Sequence, residues 1–146
     1  SSSGNAAALA AGFGVLALGT DTSGSARVPA ALTGTTGLRP SYGAIATEGI
    51  LPLSPSQDVV GPMCRRAADC AVLLSVLAPG LEAHAQPDLP RGLRVGVMRN
   101  LFPKGAAAKA FVDGMNEALA RLAADGAVVR AVDLRDAAVI VGSQAL

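Results

Sequence analysis

The run Gly19-Thr20-Asp21-Thr22-Ser23-Gly24-Ser25-Ala26-Arg27-Val28-Pro29-Ala30-Ala31 constrains the fold more than any other stretch of this chain. It follows a short apolar segment, Val15 to Leu18, that reads as a strand, and it passes through a turn of small polar residues. It then enters an alanine-rich segment with Pro29 near its start, where a helix tolerates proline. A strand that gives way to a helix within so few residues leaves the serine hydroxyls of the turn exposed. The N–H groups around them are not yet tied into helix bonds, so they can face an incoming carbonyl oxygen. Such a segment is built to display a nucleophile.

Taken alone, the same run is equally a Ser/Gly-rich turn. Gly19 and Gly24 have the spacing of a phosphate loop, but Ser25 stands where that motif requires lysine. Gly12-x-Gly14-x-x-Ala17 imitates a dinucleotide fingerprint, yet it precedes a strand instead of following one. Both nucleotide readings fail.

Three further stretches decide between the turn and the nucleophile. Ser1-Ser2-Ser3-Gly4-Asn5 comes before the run; Gly37-Leu38-Arg39-Pro40-Ser41-Tyr42-Gly43 and Ser56-Gln57-Asp58-Val59-Val60-Gly61-Pro62-Met63 come after it. In one order and one register, the four resemble the amidase signature family, serine hydrolases that use a Ser–cis-Ser–Lys triad. The resemblance is dense over residues 1 to 78; from Leu93 on it extends only to the order of elements. Ser23 replaces the first glycine of the family's pair, and Ala26 replaces a bulky residue after the nucleophile.

The resemblance implies a fold of α/β/α layers around a mixed β-sheet and assigns the nucleophile to Ser25. It assigns the proton relay to Ser1, twenty-four residues earlier. The N–H groups of Thr22, Ser23, Gly24 and Ser25 become the oxyanion hole. A serine hydroxyl needs a base, and the family supplies a neutral lysine whose pKa must be lowered by its surroundings. The implied substrate is a small-molecule carboxamide, with no cofactor and no metal. Nucleic acid is expected only if the protein belongs to an amidotransferase complex, and a homodimer is left open as a partner state. A degenerate homologue without turnover is the non-enzymatic alternative.

Chain length allows one ordinary domain: a signature core over 1–78, a polar linker over 79–92 and a strand–helix–strand stretch over 93–146. The chain is 51% hydrophobic with a net charge of +1, which gives no electrostatic reason to expect nucleic acid or an anionic membrane. The apolar run Ala6 to Leu18 is too short to span a bilayer. Cys64 and Cys70 read as buried free thiols of a cytoplasmic protein. The single histidine, His84, sits in the linker, so a Ser–His–Asp triad is disfavoured. Asp21, Arg27, Asp58 and Arg65 read as structural groups that hold the loops by charge-assisted hydrogen bonds.

Both ends read as cut, since the chain opens inside a serine motif without methionine and stops at Leu146 after an apolar run. The expectation is a central fragment. Its only lysines, Lys104 and Lys109, lie downstream in no family position. The isolated 146 residues are therefore expected not to hydrolyse amides. Steady ammonia release that Ser25→Ala abolishes would contradict this.

The pattern predicts helices over Gly4–Ala11, Ala26–Leu32, Arg65–Leu77 and Ala107–Ala124. It predicts strands at Val15–Leu18, Leu93–Val97 and Val128–Val132, the first apolar on both faces as if buried inside a sheet. Strand, helix, strand in the last third suggests a parallel crossover. Leu51 to Pro62, with three prolines, reads as irregular.

Overall fold

A computed structural model describes residues 1–81 and 92–133. The chain divides into two units, Ser1–Ala85 and Gln86–Leu146. The first contains α1 (Ser3–Ala10), β1 (Leu16–Thr20), α2 (Arg27–Thr33), β2 (Thr36–Gly37), β3 (Val60–Cys64) and α3 (Ala67–Leu77). Its sheet runs in the order β1-β3-β2, and both pairings are antiparallel.

Every residue of β3 is buried, and their alternation sorts the helices onto two faces. Met63 packs with Ala6, Leu9, Ala26 and Ala30 of the α1–α2 side. Val60, an odd number of positions away, packs instead with Leu74 and Ala78 at the α3 side. Helices therefore cover both faces of the sheet, as the α/β/α expectation requires.

The α1–α2 side has little room. A methyl group added at Gly19 or Gly37 would lie 2.6 Å from Ser2 Oγ or the Ala26 carbonyl oxygen, and one at Gly61 would lie 3.0 Å from the Ala26 methyl. This close approach accounts for the small residues on this side of the sheet, Ala6, Ala26 and Ala30.

Three elements depart from the sequence reading. β3 falls where the prolines suggested irregular chain, and Pro62 sits in the central strand. A strand residue points its N–H and C=O to the same side, and the Pro62 C=O accepts the Leu38 N–H at 2.9 Å. The missing donor thus faces the two-residue β2, where the ladder is ending, so the usual penalty for a mid-sheet proline is small. β1, expected to lie inside a sheet, is an edge strand among the described residues, with Leu16 and Leu18 nearly half exposed. In α3 the inward stripe is Cys70, Leu74 and Ala78 with Leu77 beside it. The sequence pattern sets Val72, Leu73, Val76 and Leu77 on one apolar face of this helix, yet Val72 and Val76 are exposed.

The second unit pairs β4 (Arg94–Val97) with β5 (Val128–Ala131) in parallel, connected through α4 (Lys109–Ala124). The crossover is as the pattern predicts. Leu119 of the α4 stripe is buried, and Phe111 meets Phe102 edge-on with ring centroids 5.7 Å apart. No helix among the described residues is long and apolar enough to cross a membrane.

Candidate active site

The four motifs converge on one hydrogen-bonded cluster in the first unit. At its centre is Asp21, fully buried at the end of β1. Its N–H donates to the Val59 C=O at 2.8 Å, which extends the β1–β3 pairing by one residue. One carboxylate oxygen accepts the Gly24 N–H at 2.8 Å, Arg27 Nη2 at 3.1 Å and Arg39 Nη1 at 3.3 Å. The other accepts Arg27 Nε at 2.9 Å and the N–H groups of Arg27 and Ala26 at 3.3 and 3.4 Å. Arg39 also donates to the Asp21 carbonyl and, at 2.9 Å, to that of Gln57. Burial alone pushes the Asp21 carboxyl up. The hydrogen bonds from Arg27 and Gly24 and the Arg27 charge outweigh it and hold the group at about 2. The same pairing raises Arg27, whose side chain is half exposed.

The turn that carries Ser25 wraps around this carboxylate. Gly24 takes φ of 115°, a conformation costly for any side chain, so the glycine of the pair that this chain keeps is the one the backbone needs. Ser25 is half-buried at the entrance to α2. The N–H groups of Thr22, Ser23 and Ser25 have no hydrogen-bond partner among the described residues. The Gly24 N–H does, and this corrects the expectation that all four point toward a substrate. It is committed to Asp21, so Gly24 shapes the turn and does not serve as a free donor.

The first motif packs against the second. The Ser2 N–H donates to the Ser25 C=O at 2.9 Å, which brings the segment bearing Ser1 alongside Ser25. Ser1 itself is exposed. Ser2 precedes α1, but its hydroxyl makes no capping bond. It accepts the Thr20 N–H at 3.1 Å and faces the Thr20 C=O at 3.3 Å, while Asn5 donates to the Leu18 C=O at 2.7 Å. Gly19 makes this contact possible, because an added Cβ would lie 2.6 Å from Ser2 Oγ and 2.8 Å from Met63 Sδ. Gly19→Ala is expected to cost roughly 1–3 kcal/mol by overpacking. A denaturant midpoint equal to that of the unsubstituted protein would contradict it.

The last two motifs close the cluster from the far side. The Thr22 hydroxyl donates to Asp58 Oδ1 at 2.5 Å, and Tyr42 donates to the Pro55 C=O at 2.8 Å. Arg65 donates to the Gly14 C=O at 2.6 Å. The structural reading of Asp21, Arg27, Asp58 and Arg65 thus holds, with both arginines exposed in part. Cys64 and Cys70 are free and buried, and burial pushes the Cys70 thiol up to about 12. Neither is a nucleophile at neutral pH. Lys109 is exposed on α4 and paired with Asp113, and Lys104 is exposed in a loop of the second unit. His84 lies outside the described residues. Ser2 and Arg39 belong to the motifs, yet their residue types alone point to no role. Their place in the motifs was the available signal.

The family model described as Amidase matches residues 1–143. A glutamyl-tRNA(Gln) amidotransferase subunit from Roseiflexus castenholzii is 46% identical, covering 72% of this chain and 24% of its own length. Its counterpart in Deinococcus deserti is 40% identical over 93% of this chain and 30% of its own. Among solved structures, the native peptide amidase of Stenotrophomonas maltophilia superposes with a TM-score of 0.82 at 32% identity. It covers 99% of this chain, which spans 32% of that protein. The corresponding amidotransferase subunit of Thermotoga maritima gives 0.75 at 29% identity, covering 90% and 32%. The chain spans about a quarter to a third of the relatives it matches.

Proposed function

We infer the function from one premise: this chain belongs to the amidase family. The whole protein is read as a hydrolase of carboxamide C–N bonds working through a serine acyl-enzyme. Ser25 Oγ attacks the carbonyl carbon while its proton passes by way of Ser1 to the family's lysine. The developing oxyanion is held by the N–H groups of Thr22, Ser23 and Ser25. Collapse of the tetrahedral intermediate breaks the C–N bond, and the amine or ammonia departs with a proton. Water then attacks the ester and releases the acid.

The observation that carries this reading is the division of donors in the turn. The buried Asp21 carboxylate takes the Gly24, Ala26 and Arg27 N–H groups, and those of Thr22, Ser23 and Ser25 are left open around a serine hydroxyl. A preorganised set of unpaired donors beside a nucleophile is what acyl transfer requires.

The test is ammonia release from a panel of simple carboxamides by the full-length protein. A second reading has its own support, because three of the relatives above are named as amidotransferase subunits. Under it the ammonia is drawn from glutamine and passed to a charged tRNA within a protein complex. Glutamine hydrolysis that needs added partner proteins would favour the second reading. Turnover of simple amides by the protein alone supports the first. We place the enzyme in the cytoplasm, a location that two buried free thiols suit.

A further inference from the structure

Two carboxylates anchor the turn around Ser25. Asp21 is one, held by Arg27 and Arg39. The other is Asp58, which lies 36 residues beyond Thr22 along the chain and is 8% exposed. Its Oδ1 accepts the Thr22 hydroxyl at 2.5 Å. Its Oδ2 accepts the N–H groups of Leu53 and Ser54 at 2.8 and 2.9 Å. The Ser54 C=O in turn accepts the N–H groups of Gln57 and Asp58, both at 2.8 Å. Residues 53–58 therefore form a closed loop around the carboxylate, which among the described residues makes a single hydrogen bond outside that loop, to Thr22.

Sheet formation does not require that bond. The register of β3 against β1 is already set by the backbone, including the Asp21 N–H to Val59 C=O bond. A cavity of about 80 Å³, lined by Thr47, Ile50, Pro52, Pro55 and Asp58, adjoins the carboxylate. Packing on that side is thus incomplete, and hydrogen bonds set the carboxylate's direction. What Asp58 adds is a hold on the side chain of Thr22, whose own N–H is one of the open donors.

We propose that Asp58 is the positioning residue of the oxyanion turn, fixing the Thr22 peptide through the Thr22 hydroxyl. This rests on the amide-hydrolase reading above. Asp58 touches neither substrate nor nucleophile in this role. It acts through Thr22, and a donor displaced by even a fraction of its hydrogen-bond length loses much of its effect in the transition state.

The experiment compares Thr22→Val, Thr22→Ser, Asp58→Asn and the Thr22→Val/Asp58→Asn double variant in the full-length protein. Rates are expressed per Ser25 titrated by an active-site label, which removes misfolded protein from the count. Thr22→Val and Asp58→Asn are each expected to lower kcat about 10- to 100-fold with KM changed less than about threefold. Thr22→Ser, which keeps the hydroxyl, should be at least about tenfold faster than Thr22→Val. The double variant should be no slower than the slower single, because both cut the same link. Amide hydrogen exchange over residues 20–25 should accelerate about tenfold in Thr22→Val and in Asp58→Asn.

Full kcat in Thr22→Val, effects that multiply in the double variant, or unchanged exchange in Asp58→Asn would each overturn the proposal. If the unsubstituted protein neither turns over amides nor labels at Ser25, the functional reading fails. The exchange measurement then decides by itself whether Asp58 holds the turn.

Discussion

Ser25→Ala is expected to abolish covalent labelling of the full-length protein by a fluorophosphonate and to reduce amide turnover by roughly 10³-fold or more. Three features of the fold single out Ser25 among the serines of the turn. It stands half-buried at the entrance to α2, and its own N–H has no partner among the described residues. Its C=O is tied to the Ser2 N–H, so its backbone cannot swing away from the first motif. Its neighbour Gly24 holds φ of 115°, which turns the chain so that the Thr22, Ser23 and Ser25 donors are left free of the Asp21 carboxylate. Ser1→Ala should be slowed without becoming inert, because a water can replace part of its hydroxyl's function in the relay. Members of one triad do not act additively, so the double variant should be little worse than Ser25→Ala. If the proposed relay ends on a lysine, activity should rise from acid toward alkaline pH as that base loses its proton. Peptide mapping that put the label on another serine, with Ser25→Ala fully active, would leave the family relationship as one of fold alone.

How much of this was legible in the sequence differs from element to element, and the reasons are physical. α4 and its flanking strands were readable because a helix stripe at Phe111, Met115, Leu119 and Leu122 and alternation at Leu93, Val95 and Val97 are local patterns. β3 was not, since Pro62 speaks against a strand unless one knows which side of it is unpaired, and that depends on β2 and Leu38, which are distant in sequence. The buried face of α3 is ambiguous in sequence because the helix is apolar nearly all round. With Ala, Val, Leu and Cys on every side, only the position of the sheet selects Cys70, Leu74 and Ala78. At the site, the strand–turn–helix setting of Ser25 could be read from residue types. The loss of the Gly24 donor could not, because it follows from the direction of the Asp21 carboxylate, which is fixed by Arg27 and Arg39. Charged residues in the motifs are legible as supports. That one of them gathers the others around itself is visible only in the fold.

That central position makes Asp21→Asn the most damaging conservative change in the cluster. Each carboxylate oxygen accepts three N–H donors, so the amide NH₂ of asparagine, in either orientation, is driven against three donors. Arg27 and Arg39 would at the same time lose their counter-charge. Breaking a buried ion pair at one partner costs roughly 3–5 kcal/mol, and a loss of that size is expected in the denaturant unfolding of the unit that holds Asp21. Arg27→Ala should cost less, because the Arg27 side chain is half exposed and water can replace part of what it supplied. The pH dependence gives an independent check with a definite sign. Asp21 is held at about 2 in the folded protein, below its ordinary value of 3.8, so its contribution is complete above about 4. Stability should fall as the pH drops from there through 2, by about 2 kcal/mol from this group. Asp21→Asn should lack that step, giving a flatter profile between pH 4 and pH 2 at a lower plateau. An Asp21→Asn protein that unfolds at the unsubstituted midpoint, or that retains the full acid step, would show that the carboxylate is not what holds the turn.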